Sequence, residues 1–186
     1  MDIYLIRHTR PQVAEGICYG QSDLTLADSF DEEWAVLQQK LPAHFDAVYS
    51  SPAQRCRLLA ERLPASLRFE EPRLWEMHFG EWEMQPWTEI PSEKLQPWMD
   101  NFAEALVPGG ESFRQVYERV ESFWQELLQK EHSSVAIVAH AGSLRALLCR
   151  LLSIPLQKAF IPALDYGKTA LVKSRQGVLR LEYWNV

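Results

Sequence analysis

Ser134-Val135-Ala136-Ile137-Val138-Ala139, followed at once by His140-Ala141-Gly142, decides how this sequence folds. An apolar run this short, rich in Val and Ile and closed by a glycine turn, predicts a strand buried on both faces, as in a parallel sheet. A helix from Gly142 to Leu152 follows it. The same order recurs upstream. Ile3-Tyr4-Leu5-Ile6 runs into Arg7-His8-Thr9, and Ala47-Val48-Tyr49-Ser50 runs into Ser51-Pro52. Proline in a first helical turn, with Leu58, Leu59 and Leu63 on one face, predicts a helix from there to about Leu63. Strand, loop and helix in repetition predict an α/β protein: a mainly parallel sheet inside a three-layer α/β/α sandwich.

Other segments fit around this frame. Ser112 with Gln115 makes a capping-box pattern ahead of an amphipathic helix from Phe113 to Lys130, whose charged residues read as a solvated face. Thr169–Lys173 and Val178–Tyr183 read as strands around the turn Arg175-Gln176-Gly177. The stretch from Glu81 to Pro108 carries Pro86, Pro91 and Pro97 with Trp82, Trp87 and Trp98, and its periodicity is poor. It is expected to be a lid-like insertion over a site, outside the core, within one domain spanning residues 1–186.

Composition narrows the function. The 186 residues are 47% apolar and 24% charged, ordinary for a globular chain, which excludes disordered and collagen-like classes. A net charge of -6 argues against a nucleic-acid binder, which needs a basic face. Cys18, Cys56 and Cys149 are odd in number and widely spaced, as expected of reduced cytosolic thiols. No run of about 18 apolar residues suggests a membrane span, and Ile3–Ile6 is too short for a signal peptide. The expectation is a soluble cytoplasmic protein without a membrane partner.

Three predicted strand ends carry residues suited to phosphate chemistry. Arg7-His8 ends one, Ser51-Pro52 leads to Arg55 after the second, and His140-Ala141-Gly142 ends the third. In open parallel sheets ligands bind beyond the carboxyl ends of the strands, so two Arg and two His can meet there. Backbone N–H groups of Ala141 and Gly142 would add donors at a helix N-terminus. Arginine forks neutralise a phosphomonoester dianion, a neutral imidazole can attack phosphorus, and a carboxylic acid can protonate the departing alcohol. Read singly, each residue has a plainer role. His8 could be a structural histidine, Arg55 a surface charge beside Glu61, and His140 a strand cap. Glu76, Glu81 and Glu83 are each candidates for the acid, and Tyr19 and Gln21 could face substrate or simply form a turn. His44, His78 and His132 read as surface or packing positions. A metal held by His8 and His140 lacks a third ligand at suitable spacing.

Together, Arg7-His8, Ser50-Ser51-Pro52-x-x-Arg55, Glu76-x-x-x-Gly80-x-Trp82-Glu83, Gly109-Gly110-Glu111-Ser112 and His140-x-Gly142 resemble the histidine phosphatase superfamily of phosphoglycerate-mutase-like fold. The five blocks occur in that family's order over residues 3 to about 150. The resemblance implies that His8 is the phosphorylated nucleophile and Glu76 the proton donor. It also implies that Arg7, Arg55 and His140 form the phosphate pocket, to which the helix N-terminus would add the Ala141 N–H as a donor. Within the superfamily, Arg7-His8-Thr9-Arg10-Pro11 and Cys18-Tyr19-Gly20-Gln21-Ser22-Asp23 look most like the α-ribazole phosphatases. The commoner opening is Arg-His-Gly-Glu-Thr with an Asn three residues on, where this chain has Ala14. The implied partner is a small-molecule phosphate ester, with no cofactor and no metal, the Arg and His cluster neutralising the charge.

Overall fold

The computed structural model describes residues 1–186. Six strands form one sheet: β1 (Asp2–Arg7), β2 (Phe45–Ser50), β3 (Ala65–Glu70), β4 (Ser134–Ala139), β5 (Thr169–Arg175) and β6 (Val178–Tyr183). Their order is β3-β2-β4-β1-β5-β6, parallel through the first four and antiparallel at β5 and β6. The chain also forms five α-helices, α1 (Phe30–Leu37), α2 (Gln54–Arg62), α3 (Ser92–Asp100), α4 (Phe113–Leu127) and α5 (Ala141–Leu152), of which α3 lies in the Trp-rich stretch.

Side chains alternate across the central strands and so build two cores. Ile6, Val48, Ala136 and Val138 face one way and meet Cys56, Leu59 and Leu63 of the α2 region with Leu37 of α1. Ile3, Leu5, Val135 and Ile137 face the other way and meet Val116, Val120, Phe123 and Trp124 of α4 with Leu144 and Leu147 of α5. This is the expected three-layer sandwich. α4 starts where its capping box lies: the Gln115 N–H donates to Ser112 Oγ at 3.3 Å, and the Ser112 N–H to Gln115 Oε1 at 2.9 Å.

Four details differ from the sequence reading. β3 and α1 were not anticipated, because β3 is an edge strand with mostly exposed side chains and α1 buries only Leu37 completely. α2 starts at Gln54, so Pro52 precedes the helix. The Trp-rich stretch is not outside the core. Trp82, Ile90, Ala103 and Val107 are buried within the larger cluster, because its aromatic rings carry too much apolar area to leave in water. Nor is α4 solvated along its whole charged face, as Arg119 shows below. No helix is long and apolar enough to cross a membrane.

Candidate active site

Sheet register brings the predicted strand ends together. Arg7 pairs with Ala139 across β1 and β4, and Ser50 with Val138 across β2 and β4. The residues that follow, His8, His140 and Ser51, therefore emerge side by side at the carboxyl edge, where crevice sites form. The His8 N–H donates to the Ala139 carbonyl at 3.0 Å, and the Gly167 N–H donates to the His8 carbonyl at 3.1 Å, so its backbone is pinned on both sides.

His8 is 2% exposed. Its Nδ1 lies 2.7 Å from the Thr9 carbonyl oxygen, which can only accept, so Nδ1 carries the proton. Nε2 is left unprotonated, with no protein partner. Burial first, then the positive charges of Arg55 and Arg7, hold its pKa well below 6.5. The imidazole is neutral and fixed in one tautomer.

His140 is fully buried, its ring centroid 5.0 Å from that of His8, and it caps α5. Arg55 Nη2 donates to its Nδ1 at 3.2 Å, so the other nitrogen carries the proton and donates to Ser51 Oγ at 2.7 Å. Burial, then Arg55, then His8 keep it neutral too. Trp75 lies parallel to the imidazole at 6.3 Å. Arg55 is fully buried rather than on the helix surface; Nη1 donates to the Ser22 carbonyl at 2.8 Å and Nη2 to that of Gly20 at 2.5 Å. It ties the 20–22 loop to His140 and puts a permanent charge behind His8.

A cavity of about 280 Å³ opens over His8. Its polar end is Arg7, His8, Glu76, Ala141 and Gly142, and its other walls include Phe79, Trp87, Phe113 and Phe160. Arg7 donates from Nη1 to the Leu164 carbonyl, and its guanidinium carbon sits 3.7 Å over the Tyr166 ring. The Ala141 N–H, first in α5, has no carbonyl of that helix to bond and is available to an anion. Glu76 Oε2 accepts the Gly142 N–H at 3.0 Å and Oε1 accepts the Met77 N–H at 2.9 Å.

The other two candidate acids have different partners. Glu81 is exposed and meets Lys94 at 3.4 Å. Glu83 accepts the N–H groups of Gly20, Gln21, Ser22 and Phe79 and the Ser22 hydroxyl. Burial would raise its pKa, but the hydrogen bonds from Ser22, Gly20, Gln21 and Phe79 outweigh it, and the carboxyl stays below its ordinary range. Glu83 is a clamp on the Gly20–Ser22 loop. That leaves Gly20 and Gln21 in a tight turn, Gln21 donating to the Glu76 carbonyl at 3.1 Å.

Two contributors escaped the sequence reading. Arg119 of α4 faces inward: it pairs with Glu111 at 3.0 Å and donates to the carbonyls of Arg73, Trp75 and Glu76. It thus holds the backbone that presents Glu76. The signal was a charge three residues after Val116 and four before Phe123, on the edge of the apolar stripe. Tyr166 carried no local signal, since it reaches the cavity from the loop before β5. Ala14 is exposed and lines a second cavity beside Tyr19, Tyr166 and Trp87.

Residues 3–186 match the family described as the histidine phosphatase superfamily (branch 1). The adenosylcobalamin/alpha-ribazole phosphatase of Escherichia coli is 28% identical, over 100% of this chain and 96% of its own length. Phosphoserine phosphatase 1 of Hydrogenobacter thermophilus is also 28% identical, over 96% of this chain and 90% of its own. Among solved structures, the alpha-ribazole phosphatase from Shigella flexneri superposes with a TM-score of 0.89 at 27% identity, covering 100% of this chain and 96% of that one.

Proposed function

The chain belongs to the histidine phosphatase superfamily and is a phosphatase, and from that premise we propose that it hydrolyses α-ribazole 5′-phosphate through a phosphohistidine on His8. The observation that carries the mechanism is the His8–Thr9 hydrogen bond, which leaves a lone pair on Nε2 at the cavity floor. In the first displacement Nε2 bonds to phosphorus as the ester P–O bond breaks, and Glu76 gives the departing oxygen its proton. In the second, Glu76 takes a proton from water. The resulting hydroxide attacks phosphorus, the P–N bond breaks, and inorganic phosphate and neutral His8 are restored. Arg7 and the Ala141 N–H bind the phosphoryl oxygens, and Arg55 and His140 support them from behind.

The substrate reading is supported by the named relatives and by the cavity walls. α-Ribazole 5′-phosphate carries a flat, apolar dimethylbenzimidazole beyond its ribose, and Phe79, Trp87, Phe113 and Phe160 offer rings to such a group. On this reading the enzyme acts in assembly of the cobalamin nucleotide loop, in the cytoplasm. A phosphoserine phosphatase is the second reading, favoured by relatives of equal identity. A broad sugar-phosphate phosphatase is the third. The test sets kcat/KM for α-ribazole 5′-phosphate beside phosphoserine and ribose 5-phosphate. A preference of at least about tenfold is expected, the equivalent of one stacked ring. Parity with phosphoserine, or a preference for it, sinks the α-ribazole assignment, and parity with ribose phosphate selects the broad enzyme.

A further inference from the structure

Tyr19 and Tyr166 come from loops 147 residues apart, and their hydroxyls hydrogen-bond to each other beside the His8 cavity. Both rings line that cavity. Tyr166 lies under Arg7, its centroid 3.7 Å from the guanidinium carbon and 5.6 Å from the His8 ring. Tyr19 lies 5.6 Å from the guanidinium carbon of Arg55. The hydroxyl pair therefore spans the space between the two arginines, next to the attacking histidine.

Two phenols that share one hydrogen bond hold two protons and use one. Whichever hydroxyl donates, the other keeps a free O–H, and neither has another protein partner. We propose that this free O–H is a ligand of the transferring phosphoryl group, a donor to an equatorial oxygen that complements Arg7 and the Ala141 N–H. Because either phenol can take the donor role, the pair can rotate its protons to follow the oxygen as phosphorus moves from the ester toward Nε2. Burial first, and then the bond to Tyr166, raise the pKa of Tyr19, so Tyr19 keeps its proton at neutral pH. The inference rests on His8 being the nucleophile and is independent of the leaving group.

A double-mutant cycle with Y19F, Y166F and Y19F/Y166F tests it, read as kcat/KM on p-nitrophenyl phosphate and as inhibition by orthovanadate. A ligand role leaves one donor in each single variant. Each single should lose about two- to threefold and the double about thirtyfold, more than the product of the singles, as expected for losing a hydrogen bond to a charged oxygen. A mere latch between loops is broken by either change alone. Full loss in Y19F or Y166F, with no further loss in the double, overturns the proposal, as does a double equal to the product of the singles. If the double variant does not fold, 3-fluorotyrosine at both positions replaces it. A stronger phenol donor should tighten vanadate inhibition, and unchanged inhibition overturns the ligand role. H8A serves as control: if it retains turnover, the phosphohistidine reading falls, whereas a dead H8A with tyrosine variants like wild type removes only this inference.

Discussion

Glu76 and Gly142 are in direct contact: the Gly142 N–H donates to Glu76 Oε2 at 3.0 Å, and a Cβ on Gly142 would lie 2.1 Å from Glu76 Oε1. The glycine is needed for room, because its φ is an ordinary helical one and not a left-handed one. Gly142→Ala should therefore displace the carboxylate while costing little stability, since the clashing atom ends a flexible side chain. Alkyl phosphate turnover should fall about tenfold or more, with p-nitrophenyl phosphate much less affected, since its phenolate leaves without a proton. Glu76→Gln should show the same selectivity. Equal losses on the two esters in both variants would assign Glu76 to positioning or to the hydrolysis step.

His8→Ala should fold and bind inorganic phosphate but lose at least about a thousandfold in kcat, the scale for deleting one member of a catalytic unit. Acid-labile label from a radiolabelled ester should appear on the wild type and be absent from the variant. Titration calorimetry with phosphate checks that the pocket survives.

The His8 pKa sits well below 6.5, through burial and then Arg55 and Arg7. Only neutral imidazole attacks, so activity is lost as pH falls through the depressed value, not through 6.5. kcat/KM should stay nearly level from pH 7 to 6 and decline only below that. Arg7→Gln removes one depressing charge and should move the acidic limb upward. A wild-type limb centred at 6.5 would contradict the buried environment.

Glu83 gives a stability test of opposite origin. Its folded pKa is lowered, so its contribution is present above the ordinary carboxylate range and lost as pH falls through the depressed value. Glu83→Gln should destabilise the protein by about 2–3 kcal/mol at pH 7, with Tm lower by several degrees. The gap between variant and wild type should close on acidification below about pH 4. A pH-independent gap would mean that packing, and not charge, dominates at this position.

Trp87 and Trp98 separate binding from packing. Trp87 lines the cavity, whereas Trp98 stacks among Trp82, Trp87, Phe79 and Phe102 and packs on the core. Trp87→Ala should raise KM for α-ribazole 5′-phosphate by about fivefold or more while sparing p-nitrophenyl phosphate. Trp98→Ala should cost about 3 kcal/mol in urea unfolding and change substrate preference little. The reverse pattern would move the leaving-group surface to Trp98.

The sequence by itself determined the strands whose signal is local. Short, β-branched runs at Ile3–Ile6, Ala47–Ser50 and Ser134–Ala139 are buried on both faces, so apolarity alone marks them, and a parallel sheet must gather their ends. That was enough to bring together Arg7, His8, Arg55 and His140. It was not enough for β3, whose exposed edge position demands no apolar pattern, or for the Trp-rich stretch, where proline hides periodicity but ring area still forces burial. Choosing among three neighbouring glutamates was beyond local reading. They differ only in their partners: Gly142 for Glu76, Lys94 for Glu81, and the Gly20–Ser22 loop for Glu83. Arg119 and Tyr166 belong to the site through contacts of 43 and 158 to 159 residues in separation, Tyr166 over Arg7 and beside His8, and no neighbouring residue announces either role. Burial and backbone pattern act along the chain and leave a mark in it. Hydrogen-bond partnership and charge proximity act through space, and only the tertiary structure decides them.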